Sequence, residues 1–327
     1  MAGFVLSIDA GGTSVRFRLS VLQEGRLRPV AGASRPSSGW EVFREDLGLF
    51  LGDPAVVRAL GESGAGFSGV ASFALAGVVD GPALRGSVTR WGSDRFEDLA
   101  ALASRHGFRC AAALNDLEAA GIAIQGCPEE SLAPLDGGGA PGRRKFVNVM
   151  PGTGLGVGIC LDGRALASEA GSAPCAFDLE DADEIIVCKG ARESAGDALP
   201  TYETFLCGDG LRLLARTLSG VEAAPEAITD SFSHAGRFRR EVTLYVRLLA
   251  RAAQSAALAA LPEACFLSGA IARALPDSVW GGFLVEFRRH AVQGPFLRNV
   301  RVARVDVDDL PLCGAESAVA RHSEELK

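Results

Sequence analysis

The sequence predicts an α/β protein made of two related halves, and three observations carry that prediction. Two segments far apart in the chain share one shape: a β-rich run, a glycine turn, and a second β-rich run. Apolar stretches of strand length alternate with helical patterns after each of them. A stretch rich in glycine and proline separates the first half from the second. With 327 residues, 48% of them hydrophobic and 22% charged, the chain has enough apolar material for two domains.

Taken in order, the first segment is residues 4–20, FVLSIDAGGTSVRFRLS. Beyond its glycines, Val15, Phe17 and Leu19 alternate with Arg16, Arg18 and Ser20, so the turn is expected to join two antiparallel strands. Residues 70–79 (VASFALAGVV) read as a buried strand, 96–105 as a helix, and 109–114 (RCAAAL) as a strand followed by a helix near Leu117. Residues 127–145 read as an exposed connection. The second segment, residues 146–161 (FVNVMPGTGLGVGICL), alternates Leu155, Val157 and Ile159 with Gly156, Gly158 and Cys160. One long helix is expected over 237–261, then a strand, tight turn and helix in CFLSGAIARAL. The chain closes with a strand in VRVARVDVDDLP and a helix from about Gly314. No repeat of short fixed period is present in the sequence.

Composition removes several classes of function. A net charge of −7 argues against a nucleic-acid footprint. The densest basic stretch, Arg237 to Arg240 with Arg247 and Arg251, is expected to be a solvated helix face. The eight cysteines include no CxxC pair and no nearby histidine partner, so metal-ligand spacing is absent. Most lie in apolar runs, as buried thiols in a reducing compartment do. Neither a basic leader nor an apolar run of bilayer length is present, and a soluble cytoplasmic protein is expected.

The glycine turns exclude two familiar phosphate motifs. A dinucleotide fingerprint needs its glycines to open a helix, and a Walker loop needs Gly-Lys-Ser/Thr at a helix start. Here both turns lead into strands. Such tips present backbone N–H groups at close range to phosphate oxygens, because glycine permits close approach and positive φ. Two related halves, each opening with such a hairpin, imply a nucleotide held in the cleft between them.

IDAGGTS, LNDLEAAG, MPGTGLGVGI, SEAGSAP, YETFLCGDGL and LSGAIARAL stand here in the order found in bacterial glucokinases, and nearly the whole chain resembles that family. The resemblance places the chain in the hexokinase/actin-like ATPase superfamily. It implies two ribonuclease-H-like α/β domains flanking an ATP/sugar cleft, with residues 1–114 plus a C-terminal helix 313–327 forming the smaller and 115–312 the larger. It also implies ATP with Mg2+, transfer of the γ-phosphoryl group to a hexose (glucose giving glucose 6-phosphate), and a homodimer. No membrane or nucleic-acid partner is expected.

Phosphoryl transfer asks a protein mainly for positioning and charge stabilisation, plus a base for the attacking hydroxyl. Asp116 in LNDLEAAG falls between a strand end and a helix start, where α/β ligand sites collect. Asn115 or Asp116 would equally serve as a helix cap. The resemblance makes Asp116 the general base and Asn115 a sugar ligand. It assigns Asp9 to the metal–phosphate through water, with no direct protein ligand to Mg2+. Gly11, Gly12 and Thr13, with Gly152, Thr153 and Gly154, are assigned to phosphate, and Gly269 to the adenine. Glu169 and Glu203 would grip adjacent sugar hydroxyls, since a carboxylate accepts two hydrogen bonds.

Several positions depart from the family. Ser14 replaces an asparagine, and Ala270 follows Gly269 where a second glycine is usual. Ser172 stands where the family has a sugar-contacting histidine, and the segment Thr89-Arg90-Trp91 is a shortened TNxxW with arginine for asparagine. The last two touch the acceptor side and leave open a kinase for another sugar, such as an N-acetylated hexosamine or mannose. A non-catalytic sugar- or nucleotide-binding regulator is the other alternative. The negative charge and the start at the first hairpin, with no helix-turn-helix ahead of it, argue against that.

Overall fold

Alternating side chains after the first glycine turn build a hairpin in the computed structural model, which describes residues 3–23, 26–61, 68–92, 95–195, 198–232 and 236–322. Strands β1 (Gly3–Ala10) and β2 (Ser14–Gln23) pair antiparallel, with Ala10 opposite Val15 and Asp9 opposite Arg16. Val15, Phe17 and Leu19 are buried, as period two requires of a sheet covered on one face. β3 (Arg26–Pro36) adds to β2 as an edge, and its arginines and prolines discourage further pairing. Helices α1 (Trp40–Leu51) and α2 (Pro54–Gly61) lead to β4 (Ser68–Leu75), parallel to β1. Short strands β5 (Val79–Asp80), β6 (Arg85–Gly86) and β7 (Glu97–Asp98) form a small sheet of their own. Then come α3 (Leu99–Arg105), β8 (Phe108–Asn115) and α4 (Asp116–Gly126).

The five-stranded sheet has the order β3-β2-β1-β4-β8. Its register lines up Ala10, Leu75 and Asn115 across three parallel strands. The first glycine tip, the loop after β4 and the Asn115-Asp116 pair therefore all leave the same, carboxyl end of one sheet.

The second half repeats this plan. After β9 (Leu132–Pro134), β10 (Phe146–Pro151), β11 (Leu155–Leu161) and β12 (Arg164–Leu166) form an antiparallel meander. Helices α5 (Ala182–Ala195), α6 (Tyr202–Phe205), α7 (Gly208–Ser219), α8 (Pro225–Phe232) and α9 (Arg239–Ala260) follow. β13 (Ala264–Leu267) runs parallel to β10, and after α10 (Gly269–Ala274), α11 (Trp280–Phe287) and α12 (Gly294–Asn299), β14 (Arg301–Val305) runs parallel to β13. The order is β12-β11-β10-β13-β14-β9, the same plan with one added strand. The last helix, α13 (Leu310–His322), returns to the first half.

Contacts divide the chain into Met1–Gly126 with Asp309–Lys327, and Cys127–Asp308, a later division than the expected 114/115 boundary. The difference is α4, which stays with the first unit. Gly314 of α13 lies so close to α4 that a Cβ there would come within 1.7 Å of the Ala119 carbonyl oxygen. Residues 323–327 of the expected C-terminal helix lie outside the described residues.

Four sequence expectations need correcting locally. The strand expected over 70–79 ends at Leu75, because the chain turns at Gly77, where a Cβ would sit 2.3 Å from the Ser87 carbonyl oxygen. The helix expected from residue 96 begins at Leu99, since Glu97 and Asp98 pair as β7 and Asp98 caps α3 by accepting from the Ala101 N–H at 2.8 Å. The connection at 127–145 contains β9, paired with β14, and Asp136, whose carboxylate takes two hydrogen bonds of 2.9 Å from Arg301. Arg237, Arg239 and Arg240 are exposed as expected, but Arg247 and Arg251 of α9 are not part of a solvated face. Arg251 pairs with Glu184 and Glu286 at 2.6 Å each, and Arg247 pairs with Asp181 at 2.8 Å and with Glu184. Glu184 is fully buried, so these guanidinium groups are its compensation.

Candidate functional site

In the first unit the glycine tip is braced from behind. The Gly11 N–H donates to Ser14 O at 3.0 Å, and the Ser37 N–H donates to Thr13 O at 2.9 Å. Ser37 Oγ donates to Gly11 O at 2.7 Å and accepts from Trp91 Nε1 at 2.8 Å. Gly12 is half-buried and Thr13 exposed, as a tip offered to a ligand must be. Just before the tip, Asp9 is buried and ion-paired with Arg16 at 3.0 Å, and Arg16 also reaches Asp309 at 3.0 Å. Burial pushes the Asp9 carboxyl up to about 6, and the Arg16 charge only partly opposes this.

Asn115 is fixed at both ends of its amide. Its Nδ2 donates to Gly77 O at 3.0 Å, and its Oδ1 accepts from the Leu117 N–H at 2.9 Å. Asp116 Oδ1 accepts from the same N–H at 3.0 Å. Both residues therefore cap α4, and the cap also holds Asp116 at the strand end. The loop after β4 ties this corner to the tip: the Ala76 N–H donates to Ala10 O and the Thr89 N–H to Ala76 O, both at 3.0 Å. The Thr89–Trp91 turn is thereby brought to the same sheet end, with Arg90 exposed.

The second unit gathers its own set. At the tip, the Gly152 N–H donates to Gly154 O at 2.8 Å, and the Gly208 N–H at the start of α7 donates to Gly152 O at 3.0 Å. Glu203 reaches this tip, its Oε2 accepting from the Leu155 N–H at 3.1 Å. A Thr201/Thr204 capping box sets the short helix that carries it. Gly269 has φ +85°, and a Cβ there would lie 2.9 Å from the Pro151 carbonyl oxygen, so only glycine fits this turn beside the tip. Ser268 locks that turn, donating its N–H to Val149 O at 3.0 Å and its Oγ to Asn148 Oδ1 at 2.8 Å. Thr153, Gly154 and Gly269 are all half-buried, and Ala270 is exposed.

Glu169 is exposed, and its carboxylate has no hydrogen bond or ion pair among the described residues. It opens a 3-10 turn over Ala170–Ser172, closed by the Ser172 N–H donating to Glu169 O at 3.0 Å. The turn is seated by Gly171, where a Cβ would fall 1.9 Å from the Leu155 carbonyl oxygen. Glu169 and Ser172 therefore flank the residue that follows the second tip. Within this unit, Glu169, Ser172, Glu203, Gly152, Thr153, Gly154 and Gly269 collect at one end of β10 and β11.

Sequence reasoning missed Arg16 and Ser37. Arg16 carried a signal, because in a hairpin turning at Gly11–Thr13 it must fall opposite Asp9. Ser37 carried none, since nothing local says that a loop serine after an edge strand returns to a distant tip. Among the described residues no group of three or more His, Cys, Asp or Glu converges on a metal position, and no helix is long and apolar enough to cross a membrane.

A family model described as Glucokinase matches residues 6–322. The chain is 33% identical over 221 residues to a glucokinase of Stenotrophomonas maltophilia, covering 63% of this chain and 59% of that protein. It is 31% identical over 232 residues to a glucokinase of Marinobacter nauticus, covering 68% of this chain and 66% of the relative. These alignments thus span about three-fifths to two-thirds of the relatives' length. The crystal structure of a Balamuthia mandrillaris glucokinase in complex with glucose superposes with a TM-score of 0.82 over 98% of this chain and 94% of that one. At 15% identity that likeness speaks for the fold, which is the one shared by these sugar kinases.

Proposed function

Because the chain belongs to the glucokinase family, we propose that it phosphorylates a hexose with ATP, with glucose as the first candidate acceptor. The observation that carries this reading is the register of the first sheet. It lines up the end of β1, which leads into a glycine tip, with Asn115 next to Asp116 at the end of a parallel strand. A phosphate-binding tip and a carboxylate able to accept a proton at one sheet end are what transfer to a hydroxyl requires.

In the proposed reaction Asp116 accepts the proton of the sugar hydroxyl as its oxygen forms a bond to the γ-phosphorus, and the bond from that phosphorus to the ADP oxygen breaks. Asn115 holds Asp116 in place through the cap and offers its remaining amide valences to the sugar. Glu169, with its carboxylate unspent, accepts hydrogen bonds from two adjacent hydroxyls, and Ser172 supplies a shorter contact. Glu203 retains one carboxylate oxygen for the sugar while the other fixes the second tip. The N–H groups of Gly11, Gly12 and Thr13, and of Gly152, Thr153 and Gly154, suit phosphate oxygens, and Gly269 leaves room for the adenine.

The residues present fit Mg-ATP rather than a resident metal. Asp9 is a single buried carboxylate beside the tip, suited to a water-bound Mg2+ that keeps most of its own shell. When bound, that ion neutralises charge on the phosphates.

Asp116→Ala is expected to lower turnover by about 10²–10⁴-fold while leaving ATP affinity nearly unchanged, as ADP release and equilibrium binding will read. Turnover near the wild-type rate would remove Asp116 as the base. Ser172 and Arg90 favour a second reading, a bulkier acceptor such as an N-acetylated hexosamine or mannose. A panel of sugars in the ADP-release assay separates the two readings by which acceptor has the highest kcat/KM.

A further inference from the structure

Beside the first tip, and distinct from the N–H groups of Gly11 and Thr13, the first unit contains a pocket of about 670 Å³. Such a volume lies within the range of about 300–1,000 Å³ typical of small-molecule sites. Gly12 forms one edge, Ser37 to Val42 at the start of α1 another, and Arg90, Trp91 and Arg95 a third. Its lining carries three guanidinium groups, Arg44, Arg90 and Arg95, against the carboxylates of Glu41 and Glu97. Arg44 and Glu97 neutralise each other in a two-point pair, at 2.6 and 3.2 Å. Arg90 and Arg95 are exposed, and neither side chain has an ion pair or hydrogen bond among the described residues. Glu41 alone remains to offset them, so the lining is net positive. The apolar wall is aromatic: Trp40 and Trp91 meet edge to face at 4.8 Å, and Trp91 is fixed by its bond to Ser37.

We propose that this pocket binds a phosphorylated sugar, its phosphoryl oxygens held by Arg90 and Arg95 and its ring packed against Trp91. Two unspent guanidinium groups match phosphate with forked, charge-assisted hydrogen bonds. An indole presents a flat apolar face to the C–H side of a pyranose. A neutral sugar offers no charge to these guanidinium groups, and inorganic phosphate has no ring for the tryptophan wall. The inference rests on the kinase reading for the identity of the ligand, since a hexose phosphate is that reaction's product. Under it, the product is retained beside the tip through Arg95, to which no acceptor contact is assigned, together with Arg90 on the acceptor side.

Titration calorimetry with glucose 6-phosphate, glucose and inorganic phosphate, on the wild-type chain and on Arg90→Gln, Arg95→Gln and Arg90→Lys, tests this without turnover. The wild type is expected to bind glucose 6-phosphate more tightly than inorganic phosphate, with a change in tryptophan fluorescence. Each glutamine substitution should weaken glucose 6-phosphate by about tenfold or more, with Arg90→Lys in between. Glucose affinity should move much less in Arg95→Gln, whose side chain is assigned no acceptor contact. Both arginines are at the surface, and circular dichroism checks that the variants fold. Unchanged glucose 6-phosphate affinity in both glutamine variants overturns the proposal, as does no binding by the wild type or a loss confined to ATP. A chain that binds glucose 6-phosphate through these arginines but releases no ADP with any sugar would overturn the kinase reading and leave the pocket assigned.

Discussion

Asp9 shows how one residue's surroundings set a testable property. Its carboxyl is raised from 3.8 to about 6 because burial penalises the charge more than Arg16 rewards it. The folded chain therefore holds this proton more tightly than the unfolded chain does. Through Asp9 alone, stability is greatest below about pH 4, declines as pH rises from about 4 to 6, and is flat above. In the role proposed for Asp9, ligand binding would run the other way, because the ionised form is the one that would favour Mg-ATP. Affinity for Mg-ATP is expected to fall as pH drops from 7 to 5, and Asp9→Asn should bind weakly with that pH dependence removed; calorimetry across the range checks both. At this scale Asp9, Asn115 and Asp116 were legible in the sequence from their places at strand ends, and Glu203 through the family motif that contains it. The bonds that hold Asn115 and Glu203 were not, since Gly77 and Leu155 are remote from them in the chain.

Among the elements, the 3-10 turn after Glu169 depends on one glycine. A methyl group at position 171 would meet the Leu155 carbonyl oxygen at 1.9 Å, and backbone cannot step aside as a side-chain tip can. Gly171→Ala is expected to cost about 1–3 kcal/mol and to raise the KM for sugar through Glu169 and Ser172, seen as a lower Tm together with a KM increase exceeding any fall in kcat. The arginines of α9 give a second case. Arg247 and Arg251 reach Glu184 on α5, and Arg251 also reaches Glu286 on α11, so two carboxylates and two arginines fasten three helices. Glu184→Ala removes the buried partner of both guanidinium groups, leaving Arg247 with Asp181 and Arg251 with Glu286, and should cost about 1.5–3 kcal/mol in urea unfolding. Spacing on α9 showed where the arginines lie on a helix. It carried no information about carboxylates more than 30 residues away in either direction.

For the molecule as a whole, each unit is a sheet of the same plan, and the first is closed by the far end of the chain. α13 packs on α4 through Gly314, which no larger residue can replace without parting the helices at Ala119. Gly314→Val is expected to lower the thermal midpoint by several degrees or more, at about 2–4 °C per kcal/mol for a unit of this size. The loss should appear in the first unit, measured by hydrogen exchange, before the second unit responds.

The sequence by itself determined the two hairpins and the fold class, because period-two alternation around a glycine turn is a local property of adjacent residues. The candidate carboxylates came from the sequence as well, through the resemblance of their motifs to the glucokinase family. Tertiary structure alone decided that α4 belongs with the N-terminal unit, that Arg247 and Arg251 are spent on buried Glu184, and that Arg90 and Arg95 have no ion pair among the described residues. Those outcomes depend on which distant groups meet, and burial sets their energies. Neither is written in the local order of residues.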